Sequence, residues 1–231
     1  RRPAMLYIFA IVAMIFSLFA SIKVNTTFNK YSKMRAVSGL TGYDAARRVL
    51  DSNGLYHVQI EQVSGSLTDH YDPRANIIRL SEPVYGVSSQ AAIGVAAHEA
   101  GHAIQYAANY LPIRLRSAII PITNIGARLS IPLVMLGLFL MAYSDRFVVL
   151  AYLGVLCFSL STLFQLLTLP TEFNASHRAV EAIESQGVLN DEELYGCKKV
   201  LTAAAMTYVA ALAVSVTQLL RLLSMVNRRR K

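Results

Sequence analysis

Residues 90–105 read Gln90-Ala91-Ala92-Ile93-Gly94-Val95-Ala96-Ala97-His98-Glu99-Ala100-Gly101-His102-Ala103-Ile104-Gln105. Ser88 starts this run, and its small apolar residues predict a helix despite Gly94 and Gly101. From His98 to His102 the run carries the pattern HExxH. Residues four apart on a helix share one face, one turn apart, so two imidazoles at that spacing can bind one tetrahedral zinc ion. Glu99, beside the first imidazole, projects where its carboxylate can take a proton from a water whose pKa zinc lowers from nearly 16 to roughly 7. A peptide carbonyl is the natural target of such a centre. With five His and eight Glu among 231 residues, chance supplies about 0.004 copies of the pattern. Histidines that merely pack in a core are the competing explanation.

Outward from this helix the composition is that of a membrane protein. Hydrophobic residues make up 54% of the chain and charged residues only 16%, against about 25% charged in an average soluble domain. Ala4–Ile22, Phe147–Leu169 and Leu201–Leu220 are charge-free runs long enough to cross a hydrocarbon core of roughly 30 Å at 1.5 Å per helical residue. The first run exceeds a usual signal-peptide core, so a retained anchor is expected over a cleaved signal. Ser117–Tyr143 is interrupted by Arg128. It reads either as a span whose Arg128 snorkels or meets a partner, or as an interfacial helix at 117–127 followed by a short span; a span is preferred. Ser144-Asp145-Arg146 then forms a tight turn between two antiparallel membrane helices.

The sizeable polar region, 23–116, must hold the soluble structure. Thr41 is placed to cap a helix through Asp44 to Leu50 that stops near Asn53-Gly54. His57–Val63 and Asn76–Ser81 read as strands, and the second is either an exposed edge for an extended substrate or an ordinary structural strand. His70 is expected in the connection between them, and Asp69 or His70 can orient a metal ligand from behind. The net charge of +8 resides in scattered residues or at the ends of apolar runs. No aromatic-interleaved basic stripe exists for stacking bases, so nucleic acid is not expected as a partner. Arg228-Arg229-Arg230-Lys231 reads as an interfacial anchor for anionic headgroups. Cys157 and Cys197 lack CxxC spacing and carry no functional reading.

A catalytic zinc needs three protein ligands and an open position. Candidates for the third are Glu172, His177, Glu181 and Glu184, in a segment that begins at Pro170-Thr171 and reads as a new helix. Two membrane crossings separate residue 102 from residue 172, and an even count returns Glu172 to the motif's side of the bilayer. His177 has two other readings, as a donor to an oxyanion and as an ordinary interfacial histidine.

Several segments together resemble a known family. They are Thr27-Phe28-Asn29-Lys30-Tyr31-Ser32, Ser38-Gly39-Leu40-Thr41-Gly42, Leu67-Thr68-Asp69-His70-Tyr71-Asp72-Pro73, Leu80-Ser81-Glu82-Pro83-Val84-Tyr85, the HEAGHAIQ helix from His98 to Gln105, and Pro170-Thr171-Glu172-Phe173-Asn174-Ala175-Ser176. The chain resembles, over nearly its whole length, the YugP-like membrane zinc metallopeptidases of bacteria. That resemblance implies a gluzincin-type site in which His98, His102 and Glu172 bind zinc and Glu99 is the base. HtpX-like membrane proteases are a looser analogy, with an acidic residue where this chain has Ser176.

The resulting expectation is a membrane α-helical protein of about four transmembrane helices with a small α+β zincin-like metallopeptidase domain. Its parts are an N-terminal transmembrane helix (1–22), a metallopeptidase domain with the HExxH helix (23–116), a transmembrane hairpin (117–169), a third-ligand helix and loop (170–200), and a C-terminal transmembrane helix with a basic tail (201–231). It should hold one Zn2+ per chain and cleave membrane-associated or unfolded proteins near the bilayer surface, in a bacterial plasma membrane. The alternatives are a catalytically inactive zinc-binding scaffold and a channel or transporter component in which HExxH is incidental. Lys23, Lys30, Lys33 and Arg35 favour a cytoplasmic site under the positive-inside rule, and the C-terminal cluster argues the other way.

Overall fold

The computed structural model describes residues 2–229; Arg230 and Lys231 of the basic tail lie outside it. In chain order the helices and strands are α1 (Arg2–Tyr31), α2 (Gly42–Ser52), β1 (Gln59–Val63), β2 (His70–Asp72), β3 (Ile77–Ser81), α3 (Glu82–Tyr85), α4 (Gln90–Ala107), α5 (Leu111–Leu140), α6 (Val148–Glu184) and α7 (Asp191–Arg229). Four of them, α1 and α5 to α7, are long and apolar enough to cross a membrane. The fold is therefore a membrane-type helical one with a small sheet, as the hydropathy pattern predicts. The described residues divide into two compact units: those within 2–19, 114–169 and 207–229 form one, and residues 20–113 and 170–206 form the other.

The first unit is built from apolar helices in contact through small residues. A Cβ added at Gly137 would stand 2.3 Å from the Ala151 nitrogen, and one at Gly154 would stand 2.6 Å from the Ser130 carbonyl oxygen. Close backbone approach of this kind is what dispersion-driven packing in lipid requires. Val134 and Leu138 of α5, Ala151 and Val155 of α6, and Leu222 and Val226 of α7 form the buried core. Thr162 and Ser215 share a hydrogen bond of 2.8 Å between α6 and α7. Large apolar side chains such as Met14 and Phe19 on α1 remain more than half exposed. In water that would be a liability; in a bilayer it is the lipid-facing surface.

In the second unit the three-stranded sheet has the order β1-β3-β2, with β1 parallel and β2 antiparallel to β3. Of the two readings of residues 76–81, the ordinary structural strand holds and the exposed edge does not: they are mostly the central strand, paired on both sides, with Ile78 and Leu80 fully buried. The connection expected around His70 is itself a strand, too short and too polar to show two-residue periodicity. Thr41 caps α2 as predicted, in a reciprocal capping box with Asp44. Hydrogen bonds from the Thr41 side chain and backbone hold the Asp44 carboxyl below its ordinary pKa. Val49 and Leu50 of α2, Val84 of α3, and Ile93, Ala96 and Ala97 of α4 then close the core with the sheet.

The preferred span over 117–143 holds, and one expectation about the later helices is corrected. The interfacial alternative for 117–127 does not occur, because α5 is one helix with Pro121 and Pro132 inside it. The new helix at Pro170 does not occur either; α6 runs unbroken from Val148 to Glu184 with Pro170 in its interior. A proline removes one helical hydrogen bond, and membrane helices tolerate that loss where side chains and local adjustments compensate. The connector is confined to residues 185–190, and α7 starts at Asp191, ten residues before the charge-free run. The turn at 144–146 is as expected, with the Ser144 hydroxyl accepting from the Arg146 nitrogen.

Gly42 tests the packing of α2 on α3, because a Cβ there would meet the Val84 carbonyl oxygen at 2.3 Å. Gly42→Ala should lower the thermal midpoint in detergent, at a cost of about 1–3 kcal/mol for overpacking. An unchanged midpoint would refute that packing.

Candidate metal centre

Helix α4 is set by both of its ends. At its start the Ser89 hydroxyl accepts from the Ala92 nitrogen, and the Gln90 nitrogen donates to the Met34 carbonyl. At its end the Tyr110 nitrogen donates back to the Gln105 carbonyl. Its small residues let it sink into the unit: Ala92, Ala96, Ala97 and Ala100 are fully buried. The closest approach is at Gly101, where a Cβ would lie 2.3 Å from the carbonyl oxygen of Ala175 on α6. The glycine inside HExxH is thus a packing requirement.

That approach brings together three of the residues singled out from the sequence. His98 Nε2 lies 3.1 Å and His102 Nε2 3.5 Å from the same Glu172 oxygen, Oε2. The two imidazoles stand edge to face with centroids 4.7 Å apart. Among the described residues His98, His102 and Glu172 form a set whose ligand atoms all lie within 4.8 Å of one another. Tetrahedral zinc with bonds near 2.0–2.1 Å separates its nitrogen and oxygen ligands by about 3.3 Å. The observed 3.1 and 3.5 Å bracket that value, so the donor set fits the ion in both chemistry and spacing.

The electrostatics agree. Burial alone would depress the His102 pKa, but hydrogen bonding to Glu172 and the charges of Glu99 and Glu172 outweigh it, and the result is raised. The protein around this imidazole draws positive charge. Glu99 itself is 8% exposed, buried beside the first imidazole in sequence.

The far nitrogens of both rings are also engaged. His98 Nδ1 lies 3.0 Å from the Ser176 hydroxyl, and His102 Nδ1 lies 3.0 Å from Gln105 Oε1. Ser176 therefore stands behind the first imidazole, where the looser analogy led to an acidic residue. Gln105 was not singled out in the sequence. The one hint in the sequence is its place three positions after His102 on the same helix, on a neighbouring face.

The rival ligands are elsewhere. His177 is 74% exposed and pairs with Glu181 at 3.8 Å, while Glu184 binds Lys198 at 3.1 Å. The Asp69 carboxylate accepts from the Ser81 nitrogen and hydroxyl. His70 Nδ1 faces the Thr68 carbonyl at 2.8 Å. Neither is joined to the three clustered residues, because both belong to the strand-and-turn segment that braces β3.

A family model described as "Putative neutral zinc metallopeptidase" matches residues 6–227. The chain is also 49% identical over 218 residues to a Bacillus subtilis (strain 168) protein named "Putative membrane protease YugP", covering 94% of this chain and 95% of that one. No solved structure matches. Matched from the first apolar helix to the last and sharing half its residues with that relative, the chain belongs to the zinc metallopeptidase family so described, as a YugP-like member.

Proposed function

We propose that this chain is a membrane zinc endopeptidase in which His98, His102 and Glu172 hold one zinc ion and Glu99 moves the proton. The observation that carries the reading is the convergence of two imidazole nitrogens on one carboxylate oxygen, 3.1 and 3.5 Å away, at the spacing of zinc ligands. When bound, zinc polarises a peptide carbonyl and makes a water acidic enough to attack it near neutral pH.

The chain's own residues do the rest. Glu99 takes a proton from the attacking water and delivers it to the leaving nitrogen, so one carboxylate serves first as base and then as acid. Its burial strengthens each charge interaction relative to open water. Ser176 and Gln105 hold the two imidazoles from behind. We assign the metallopeptidase activity to the polar unit around residues 23–116 together with the segment after residue 170.

Glu172 follows the predicted apolar run by three residues within α6, which supports a site near the headgroups. Its substrates are then membrane proteins, their juxtamembrane tails or unfolded segments that reach the interface. Lys23, Lys30, Lys33 and Arg35 after the first apolar run support a cytoplasmic face in a bacterial plasma membrane.

The purified full chain in detergent should carry one zinc per chain. Glu172→Ala should lose most of that zinc, and His177→Ala should keep it; the reverse pattern by elemental analysis would replace Glu172 as ligand. Glu99→Gln should keep the zinc and lose casein cleavage by about 10²–10⁴-fold, the usual contribution of a general base. A wild type that holds zinc and leaves casein intact would favour the inactive scaffold.

A further inference from the structure

The two imidazoles are held differently, and the difference lies in what their partners can do. Ser176 carries a hydroxyl, which both donates and accepts, so it satisfies His98 Nδ1 with or without a hydrogen on it. Gln105 has no such freedom. It is fully buried, and its amide nitrogen donates to the Thr171 carbonyl at 2.7 Å and to Asn174 Oδ1 at 3.0 Å. A backbone carbonyl accepts and never donates, so the Gln105 nitrogen must face it. Asn174 is fixed from its other side, because Arg178 Nε reaches Asn174 Oδ1 at 2.7 Å and a guanidinium only donates. Tyr110 backs that guanidinium, with its ring centroid 5.8 Å from the Arg178 carbon.

The directions of these bonds leave one arrangement. Arg178 donates to Asn174, Gln105 donates to Asn174 and Thr171, and Gln105 Oε1 remains to accept. The atom it faces is His102 Nδ1 at 3.0 Å, so that nitrogen must carry the hydrogen. Nε2, the nitrogen on the Glu172 side, is then the one with a lone pair for a metal ion.

We propose that Gln105 is a positioning residue that presets His102 for zinc, and that Asn174 and Arg178 hold Gln105 in the orientation that does so. This rests on the zinc site proposed above. His102 is the preset ligand, and His98, on its adaptable hydroxyl, completes the geometry as the ion arrives.

The test measures zinc affinity of the full chain in detergent by competition with a chromophoric chelator, together with the visible absorption of the Co2+-loaded protein. Gln105→Leu should weaken zinc by about 10–100-fold, as loss of a ligand's supporting partner does elsewhere, and should alter the Co2+ bands. Asn174→Asp keeps an oxygen toward both donors and should retain wild-type affinity. Asn174→Leu has nearly the same shape but no acceptor, and should weaken zinc in the same direction as Gln105→Leu. If Asn174 only filled space, leucine would serve as well as aspartate. Equal affinity for Asn174→Leu and Asn174→Asp, or a Gln105→Leu variant that binds as wild type, overturns the proposal. Should Gln105→Leu fail to fold, the Asn174 pair on partly exposed α6 decides. Wild-type protein that takes up no zinc would instead overturn the site itself, and the inference with it.

Discussion

Everything at the centre depends on how closely two helix backbones can approach. Residue 101 of α4 has no side chain, and the carbonyl oxygen of Ala175 occupies the space where one would stand, 2.3 Å from an ideal Cβ. One turn back along α6 from Ala175 is Glu172, and flanking Gly101 on α4 are His98 and His102. A single methyl group at 101 would push the carboxylate away from both imidazoles together. The same contact explains why α4 is so rich in alanine. Ala97 and Ala100 on α4, and Ala175 and Ala179 on α6, are all fully buried, and larger side chains there would hold the helices at the ordinary spacing of 8–10 Å or beyond.

The clustered side chains are far apart in the chain, and this has an energetic consequence. Between residues 102 and 172 lie α5 and most of α6, both long and apolar enough to cross a membrane. Closing a flexible loop of that length costs entropy that grows with the logarithm of its length. A pair of bilayer-crossing helices removes much of that freedom before the site forms, since each helix is fixed by its own burial in lipid. Glu172 then rides on a helix that lipid would hold in place before any ion binds. A small zinc module in water has no such support and is often unfolded without its ion.

The pairing of His98 and His102 was legible in the sequence because it obeys a local rule. Residues four apart on a helix meet, and that spacing needs no knowledge of the fold. The four membrane-type helices were legible for a similar reason, since lipid imposes composition directly on the residues that touch it. The features that escaped are those in which a distant contact overrides a local signal. Pro170 reads as a helix start, but it lies inside α6 because the apolar helix continues through it. Residues 76–81 read as a strand without showing whether it is an edge, and only the parallel pairing with β1 and the short β2 make β3 the centre of the sheet. Gln105 and Asn174 carry no charge and belong to no ligand pattern. Their role appears once α4 and α6 are seen side by side.

Glutamine at 105 also follows from what a buried metal site asks of its surroundings. Glu99 and Glu172 already place two carboxylates around the imidazoles, and their charges raise the proton affinity of His102. A third carboxylate behind His102 would hold its Nδ1 hydrogen at least as firmly. It would, however, add charge to a site that a zinc ion would balance with only two positive units, and a buried uncompensated charge is costly. An amide supplies the accepting oxygen without the charge, and its two remaining hydrogens satisfy Thr171 and Asn174. Ser176 solves the same problem for His98 with a hydroxyl. Both imidazoles are thus braced by neutral groups. The carboxylates of the cluster are then those of Glu172, which faces both imidazoles, and Glu99 beside the first of them in sequence.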